Sequence, residues 1–125
     1  MAAGGMPWAQ AREVGDSGEE LVCVHLESLG WQVLERNWRC SDGELDIVAA
    51  DGPMLVFCEV KTRRSARFGE PVEAVGPDKA RRLRTLAWAW LEEHGRRGSA
   101  FRIDVVGVLR RHDAEPVLTH LRAVA

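Results

Sequence analysis

Apolar and polar positions along the chain fall into seven blocks whose period switches between that of a helix and that of a strand. Val14, Leu21, Val22, Leu26 and Leu29 recur at helical spacing. They predict a helix from Ala9 to Leu29, with Gly30 just past its end as a left-handed cap. Glu19 lies three positions before Val22 and seven before Leu26, so it falls on the apolar side, while Glu20 and Glu27 fall nearer the wet side. Trp31 to Arg39 reads as a strand, with Trp31, Val33, Glu35 and Asn37 on one face. Cys40-Ser41-Asp42-Gly43 turns into Gly43–Ala50 and Pro53–Lys61, two apolar runs around Asp51-Gly52. An Asp-Gly pair between apolar runs is a strong hairpin signal.

Thr62 to Val75 carries Gly69, Pro71 and three arginines without periodicity, and reads as a mobile loop beside the hairpin. Gly76-Pro77-Asp78-Lys79 opens a second helix, with proline in the favourable first position. Ala80, Leu83, Leu86, Ala87, Trp90 and Leu91 carry its stripe to an end near Gly95, and Trp88 and Trp90 are both expected in the core. Phe101–Leu109 is a buried strand and Val117–Val124 a last one. Helix, three strands, helix and two strands predict an α/β sandwich around a mixed sheet.

The hairpin carries charges where strands disfavour them. Asp46 sits between Leu45 and Ile47, and Glu59 between Cys58 and Val60. A two-residue loop at Asp51-Gly52 sets Glu44 opposite Glu59 and Asp46 opposite Phe57. Alternation then places Glu44, Asp46, Val48, Leu55, Phe57, Glu59 and Lys61 on one face. Asp46 and Glu59 become diagonal neighbours, roughly 7–8 Å apart, within reach of one ion. A slip of one residue would separate them. Carboxylates held side by side repel, and a divalent cation removes that cost. Oxygen ligands suit Mg²⁺ or Mn²⁺ better than zinc. Lys61 adds a cation on the same face, positioned for a phosphate or a metal-bound water. Any one of these residues alone reads as a solvated surface charge; the set, flanked by apolar residues, reads as a site.

Composition narrows the classes. The 125 residues suit one domain, 9–125, after a short flexible leader at 1–8, and no apolar run approaches a membrane span. Cys23, Cys40 and Cys58 form no Cys-x-x-Cys, and His25, His94, His112 and His120 show no zinc spacing. Reduced thiols in a cytoplasmic compartment are the simplest account. The net charge of −2 hides an asymmetry. Residues 1–60 hold 3 basic and 11 acidic residues, a balance of −8, and residues 61–84 hold 8 and 3, a balance of +5. An acidic segment able to bind metal thus precedes a basic one able to bind phosphate.

Arg63, Arg64 and Arg67 are placed to grip phosphates or to be solvated loop arginines, and Arg81, Arg82 and Arg84 read equally well as a wet helix face. Asp104, also among apolar residues, is a further site carboxylate or, on the preferred reading, an ion-pair partner for an arginine. No glycine-rich phosphate loop, Ser-His-Asp set or nucleophilic cysteine context is present. A carboxylate pair acting on sugars is compatible with the residue types, but Lys61 and the basic segment fit phosphate better.

Asp46, followed after twelve residues by Glu59-x-Lys61 on consecutive strands, resembles the PD-(D/E)XK nuclease superfamily. Gly18-Glu19 on the preceding helix looks like its additional acidic residue, as in archaeal Holliday junction resolvases. More narrowly, Asn37-Trp38-Arg39, Gly43-Glu44-Leu45-Asp46 and Phe57-Cys58-Glu59-Val60-Lys61-Thr62-Arg63 resemble the YraN family of small bacterial proteins. The likeness continues through Phe68-Gly69, Ala74-Val75, Pro77-x-Lys79 and Phe101-Arg102-Ile103-Asp104-Val105-Val106, covering about residues 15–110. Gly43-Glu44-Leu45-Asp46 replaces the superfamily's Pro-Asp pair, which leaves the role of Glu44 open.

The resemblance implies a restriction-endonuclease-like three-layer sandwich, with a mixed central sheet flanked by helices. It implies Glu19, Asp46 and Glu59 as ligands of Mg²⁺ or Mn²⁺, Glu44 as a candidate fourth, and Lys61 positioning the attacking water. The activity expected is hydrolysis of phosphodiester bonds in DNA, branched substrates of the Holliday-junction type included. Arg63, Arg64, Arg67, Lys79 and Arg82 would then hold the backbone through phosphate contacts, and the small size of the chain favours a homodimer acting on two strands. The alternative is a nucleic-acid-binding or scaffold protein that keeps the fold without catalysis.

Overall fold

A computed structural model describes residues 18–63, 75–111 and 114–124. The leader at 1–8, the helical turns expected before Gly18, and Arg64 and Arg67 lie outside the described residues. The elements are α1 (Gly18–Ser28), β1 (Gln32–Cys40), β2 (Gly43–Asp51), β3 (Met54–Arg63), α2 (Pro77–Glu93), β4 (Phe101–Arg111) and β5 (Ala114–Leu121). The strands form one sheet in the order β1-β2-β3-β4-β5. Neighbours are antiparallel except β3 and β4, which run parallel. A parallel pair needs a long crossover, and α2 lies within it.

Two apolar clusters lie on opposite faces of the sheet. Leu21, Val22 and Leu26 of α1 pack with Trp31, Ile47, Ala49, Val56, Cys58, Val106 and Val108. Leu83, Leu86, Ala87, Trp90 and Leu91 of α2 pack with Trp38, Leu45, Val48, Leu55, Phe57 and Ile103. Adjacent residues of β2 and β3 enter different clusters, so the sheet is covered on both faces and the sandwich has three layers. Burying a Leu, Val or Phe side chain stabilises by about 1.5–3 kcal/mol, so both helices are held by packing more than by propensity. This is the α/β architecture that the block order predicts. Among the described residues, no helix is long and apolar enough to cross a membrane.

The end of α1 explains Gly30. Its φ is +88°, and the Trp31 N–H reaches back to the Leu26 carbonyl at 3.1 Å, so the turn closes as a Schellman motif. The described start of α1 is set by close approach. A Cβ on Gly18 would collide with the Thr62 hydroxyl on β3, so glycine lets the first turn of α1 sit directly against that strand.

The hairpin register differs from expectation by two positions. Asp51 opposes Met54 and Val48 opposes Phe57, so the turn is Gly52-Pro53 rather than Asp51-Gly52. Gly52 takes φ +60° at the first loop position, where a two-residue loop requires a positive φ. A shift of two preserves faces, and Val48, Leu55 and Phe57 do share one cluster. The expected pairings of Glu44 with Glu59 and of Asp46 with Phe57 are not formed; Glu44 instead opposes Arg39 of β1.

The simple alternation expected for β1 also breaks. The ladder shifts between Val33 and Glu35, and Asn37 has φ +54°. Arg36 opposes Ile47 and Trp38 opposes Leu45, so Asn37 and Asp46 are both skipped. Leu45 consequently packs under α2 while Ile47 packs under α1. Trp90 is in the core as expected, but Trp88 is 55% exposed, because its position points away from the buried stripe of α2.

Candidate metal and phosphodiester site

The break in β2 is where the unusual aspartate is accommodated. The regular β2–β3 ladder ends at Ile47 and Cys58. One step further, Asp46 Oδ2 accepts the Val60 N–H at 2.8 Å. The carboxylate thus takes the place of a ladder carbonyl, which accounts for an acidic residue inside an apolar strand. Burial pushes Asp46 up to about 6. The Val60 N–H opposes that shift, and the charges of Glu19, Glu59 and Glu44 add to it. The group is therefore a half-buried carboxylate in a field of like charge.

Glu59 comes from β3 and its side chain is only 13% exposed. Lys79 Nζ, from the first turn of α2, stands 2.7 Å from Glu59 Oε2, and Lys61 Nζ stands 3.6 Å from the same oxygen. Glu19 is half-buried in the first turn of α1. The close seating of Gly18 on Thr62 puts it beside the strand that carries Glu59 and Lys61. Glu44 is exposed and pairs with Arg39 at 3.6 Å. Arg63, at the end of β3, and Arg82, on α2, are both exposed. The structure thus brings Glu19, Asp46, Glu59 and Lys61 into one neighbourhood and leaves Glu44 at its margin. Lys79, expected to face phosphates, is turned onto Glu59.

The donors are all carboxylate oxygens, the type that hard divalent cations take, and like-charge crowding around Asp46 is what such a cation relieves. Among the described residues, no group of three His, Cys, Asp or Glu side chains is arranged to hold a metal ion. Glu59 is engaged by two lysines and Glu44 by Arg39. By donor type Asp46 and Glu59 suit a hard cation such as Mg²⁺ or Mn²⁺, while their partners in this structure are the Val60 N–H and the two lysines.

Asp104 belongs to a different network. It is fully buried and accepts Arg102 Nε at 3.0 Å, His120 Nε2 at 2.8 Å and the Ala123 N–H at 2.9 Å. Burial works to raise its carboxyl, but these hydrogen bonds outweigh it and hold the group below the usual range. The arginine partner expected from the sequence is Arg102. His120 was not distinguishable by spacing, and its Nδ1 lies 3.1 Å from His25 Nε2. Burial pushes the Cys23 thiol up to about 11 and raises Cys58 as well, so neither is poised as a nucleophile.

The sequence matches the model of the uncharacterised protein family UPF0102 over residues 18–108. It is 54% identical over 125 residues to the UPF0102 protein of Acidothermus cellulolyticus, covering 91% of this chain and 95% of that one. It is 54% identical over 113 residues to the UPF0102 protein of Streptomyces griseus, covering 90% and 95%. A third relative, from Mycobacterium sp. (strain JLS), is 52% identical over 120 residues, covering 94% and 88%. The matched span includes Glu19, Asp46, Glu59, Lys61 and Lys79.

Proposed function

The chain belongs to the UPF0102 family, and we propose that it is a metal-dependent nuclease hydrolysing phosphodiester bonds in DNA, branched DNA included. The observation that carries this reading is the placement of Asp46. A carboxylate is built into the sheet on the Val60 N–H, with the charges of Glu19 and Glu59 acting on it and Lys61 two residues beyond Glu59. Asp46 and Glu59 hold Mg²⁺ or Mn²⁺, with Glu19 as third carboxylate. When bound, the ion supplies Lewis-acid polarisation of the phosphate and a water of lowered pKa. Lys61 places a positive charge where negative charge develops on the phosphate. Arg63, Arg64, Arg67 and Arg82 hold the backbone without reading sequence. Glu44, engaged by Arg39, is given no ligand role. The protein acts in the cytoplasm, as its unbridged thiols suggest, and as a homodimer when both strands are cut.

A second reading is a nucleic-acid-binding protein without catalysis, favoured by the two lysines that already neutralise Glu59. Binding and cleavage of four-way junction, duplex and single-stranded DNA, measured across salt with Mg²⁺, Mn²⁺ or EDTA, separate the two. The nuclease reading predicts products that require the metal. Steeply salt-dependent binding with no product under any metal favours the second reading.

A further inference from the structure

The Lys79–Glu59 contact has no place in a simple division of the chain into metal-binding acids and phosphate-binding bases. Lys79 lies in the first turn of α2, two residues after Pro77. Its ammonium is 2.7 Å from Glu59 Oε2, closer than Lys61 at 3.6 Å, although Lys61 is on the same strand as Glu59. The Glu59 side chain is 13% exposed and that of Lys79 33%, so the pair is partly withdrawn from solvent, where charge attraction is screened less than at the surface. A dication taking Oε2 would stand beside the Lys79 ammonium, and two cations at such close range repel.

We propose that Lys79 is a resident counter-ion of Glu59, which a divalent cation must displace in order to bind. The inference rests on the metal-site reading given above. Charge balance supports it. Glu19, Asp46 and Glu59 bring three negative charges to the neighbourhood, and Lys61 and Lys79 bring two positive ones. If a dication entered with Lys79 still in place, the set would carry excess positive charge. If the dication takes the place of Lys79, the three carboxylates, Lys61 and the ion are neutral together. Lys79 therefore sets the concentration of metal at which the site fills, and its ammonium leaves Glu59 when the ion arrives. Lys79 is on this account a positioning residue, not a catalytic one.

An ion pair that merely fastens α2 to the sheet predicts something different. Breaking it would loosen Glu59 and leave metal affinity unchanged or lower. The test is Mn²⁺ binding by electron paramagnetic resonance and by titration calorimetry, without nucleic acid, on wild type, Lys79→Met, Lys79→Arg and Glu59→Gln, each checked for folding by circular dichroism. The expected result is at least tenfold tighter Mn²⁺ binding in Lys79→Met, wild-type affinity in Lys79→Arg, and loss of binding in Glu59→Gln. Equal or weaker binding in Lys79→Met, with binding still lost in Glu59→Gln, overturns the counter-ion role and leaves the metal site standing. No Mn²⁺ binding by wild type or by Lys79→Met overturns both.

Discussion

At the scale of single residues, the informative groups are two aspartates placed in strands and held by opposite means. Burial, with several like charges adding to it and one backbone hydrogen bond opposing it, raises the pKa of Asp46 from 3.8 to about 6. A group that binds its proton more tightly when folded contributes stability below about pH 4 and loses it as pH rises through 6. Asp46→Asn keeps an acceptor for the Val60 N–H and removes the charge. The variant is expected to be more stable than wild type at pH 7–8 by about 1–2 kcal/mol, allowing for solvent screening. The advantage should vanish near pH 4, and urea titrations at pH 4 and 7.5 check it. Equal stability of the two proteins at both pH values would show that the site is not strained. Asp104 is the reverse case, a buried charge with its partners in place. Asp104→Ala removes the acceptor of Arg102 Nε and His120 Nε2, leaving Arg102 its longer contact with Asp51 and His120 its contact with His25, and should cost about 3–5 kcal/mol in the same titration. A loss under 1 kcal/mol would remove the network from the list of what holds the fold.

At the scale of elements, the site depends on two departures from regularity. One is the paired interruption of β1 and β2 at Asn37 and Asp46, which frees a carboxylate to receive the Val60 N–H. The other is the seating of α1 on β3 through Gly18 and Thr62. Gly18→Ala should destabilise by about 1–3 kcal/mol, the usual cost of forcing an extra methyl into a packed contact. Thr62→Ala removes the hydroxyl that the methyl would strike, so the double variant should recover most of the loss. A double-mutant cycle measures this directly, and simple additivity would mean that the contact does not set the position of α1. The helices and strands themselves were legible because their apolar periods are clear. The register was less so, since Asp51-Gly52 and Gly52-Pro53 are both acceptable loops. What distinguishes them is the pairing of Asp51 with Met54 and the negative φ of Asp51, where a type I′ Asp51-Gly52 loop needs a positive φ at both positions. The flip at Asp46 was hidden for a related reason. Alternation cannot reveal a break made by two skipped residues facing each other, and Asn37 was the only local sign, as a residue that tolerates a left-handed backbone.

At the scale of the whole molecule, the sandwich places its candidate chemistry where three elements meet: the start of α1, the interrupted stretch of β2 and the second half of β3, with the first turn of α2 closing over Glu59. Glu19, Asp46, Glu59 and Lys61 were legible as a group because each is a charge at an otherwise apolar position or stripe edge. The partner of Lys79 was not, because Lys79 and Glu59 are twenty residues apart and on different elements. Nor could spacing separate Asp104 from the site acids. Its role follows from Arg102, two residues before it on β4, and from His120 and Ala123, which the return of β5 beside β4 brings to it. The asymmetry of charge along the chain becomes a spatial one only in part. Lys61 and Lys79 are spent on Glu59, and Arg81 pairs with Asp78.

The central claim is that Asp46 and Glu59 together support metal-dependent hydrolysis of a phosphodiester. The most direct measurement is the rate of cleavage of labelled four-way-junction and duplex DNA in Mg²⁺ or Mn²⁺ by wild type, Asp46→Asn and Glu59→Gln, all shown to be folded. The account predicts cleavage by wild type that EDTA abolishes, and a fall of at least a hundredfold in each variant, about 2.7 kcal/mol of transition-state stabilisation. Cleavage that persists in either folded variant, or in EDTA, would contradict it.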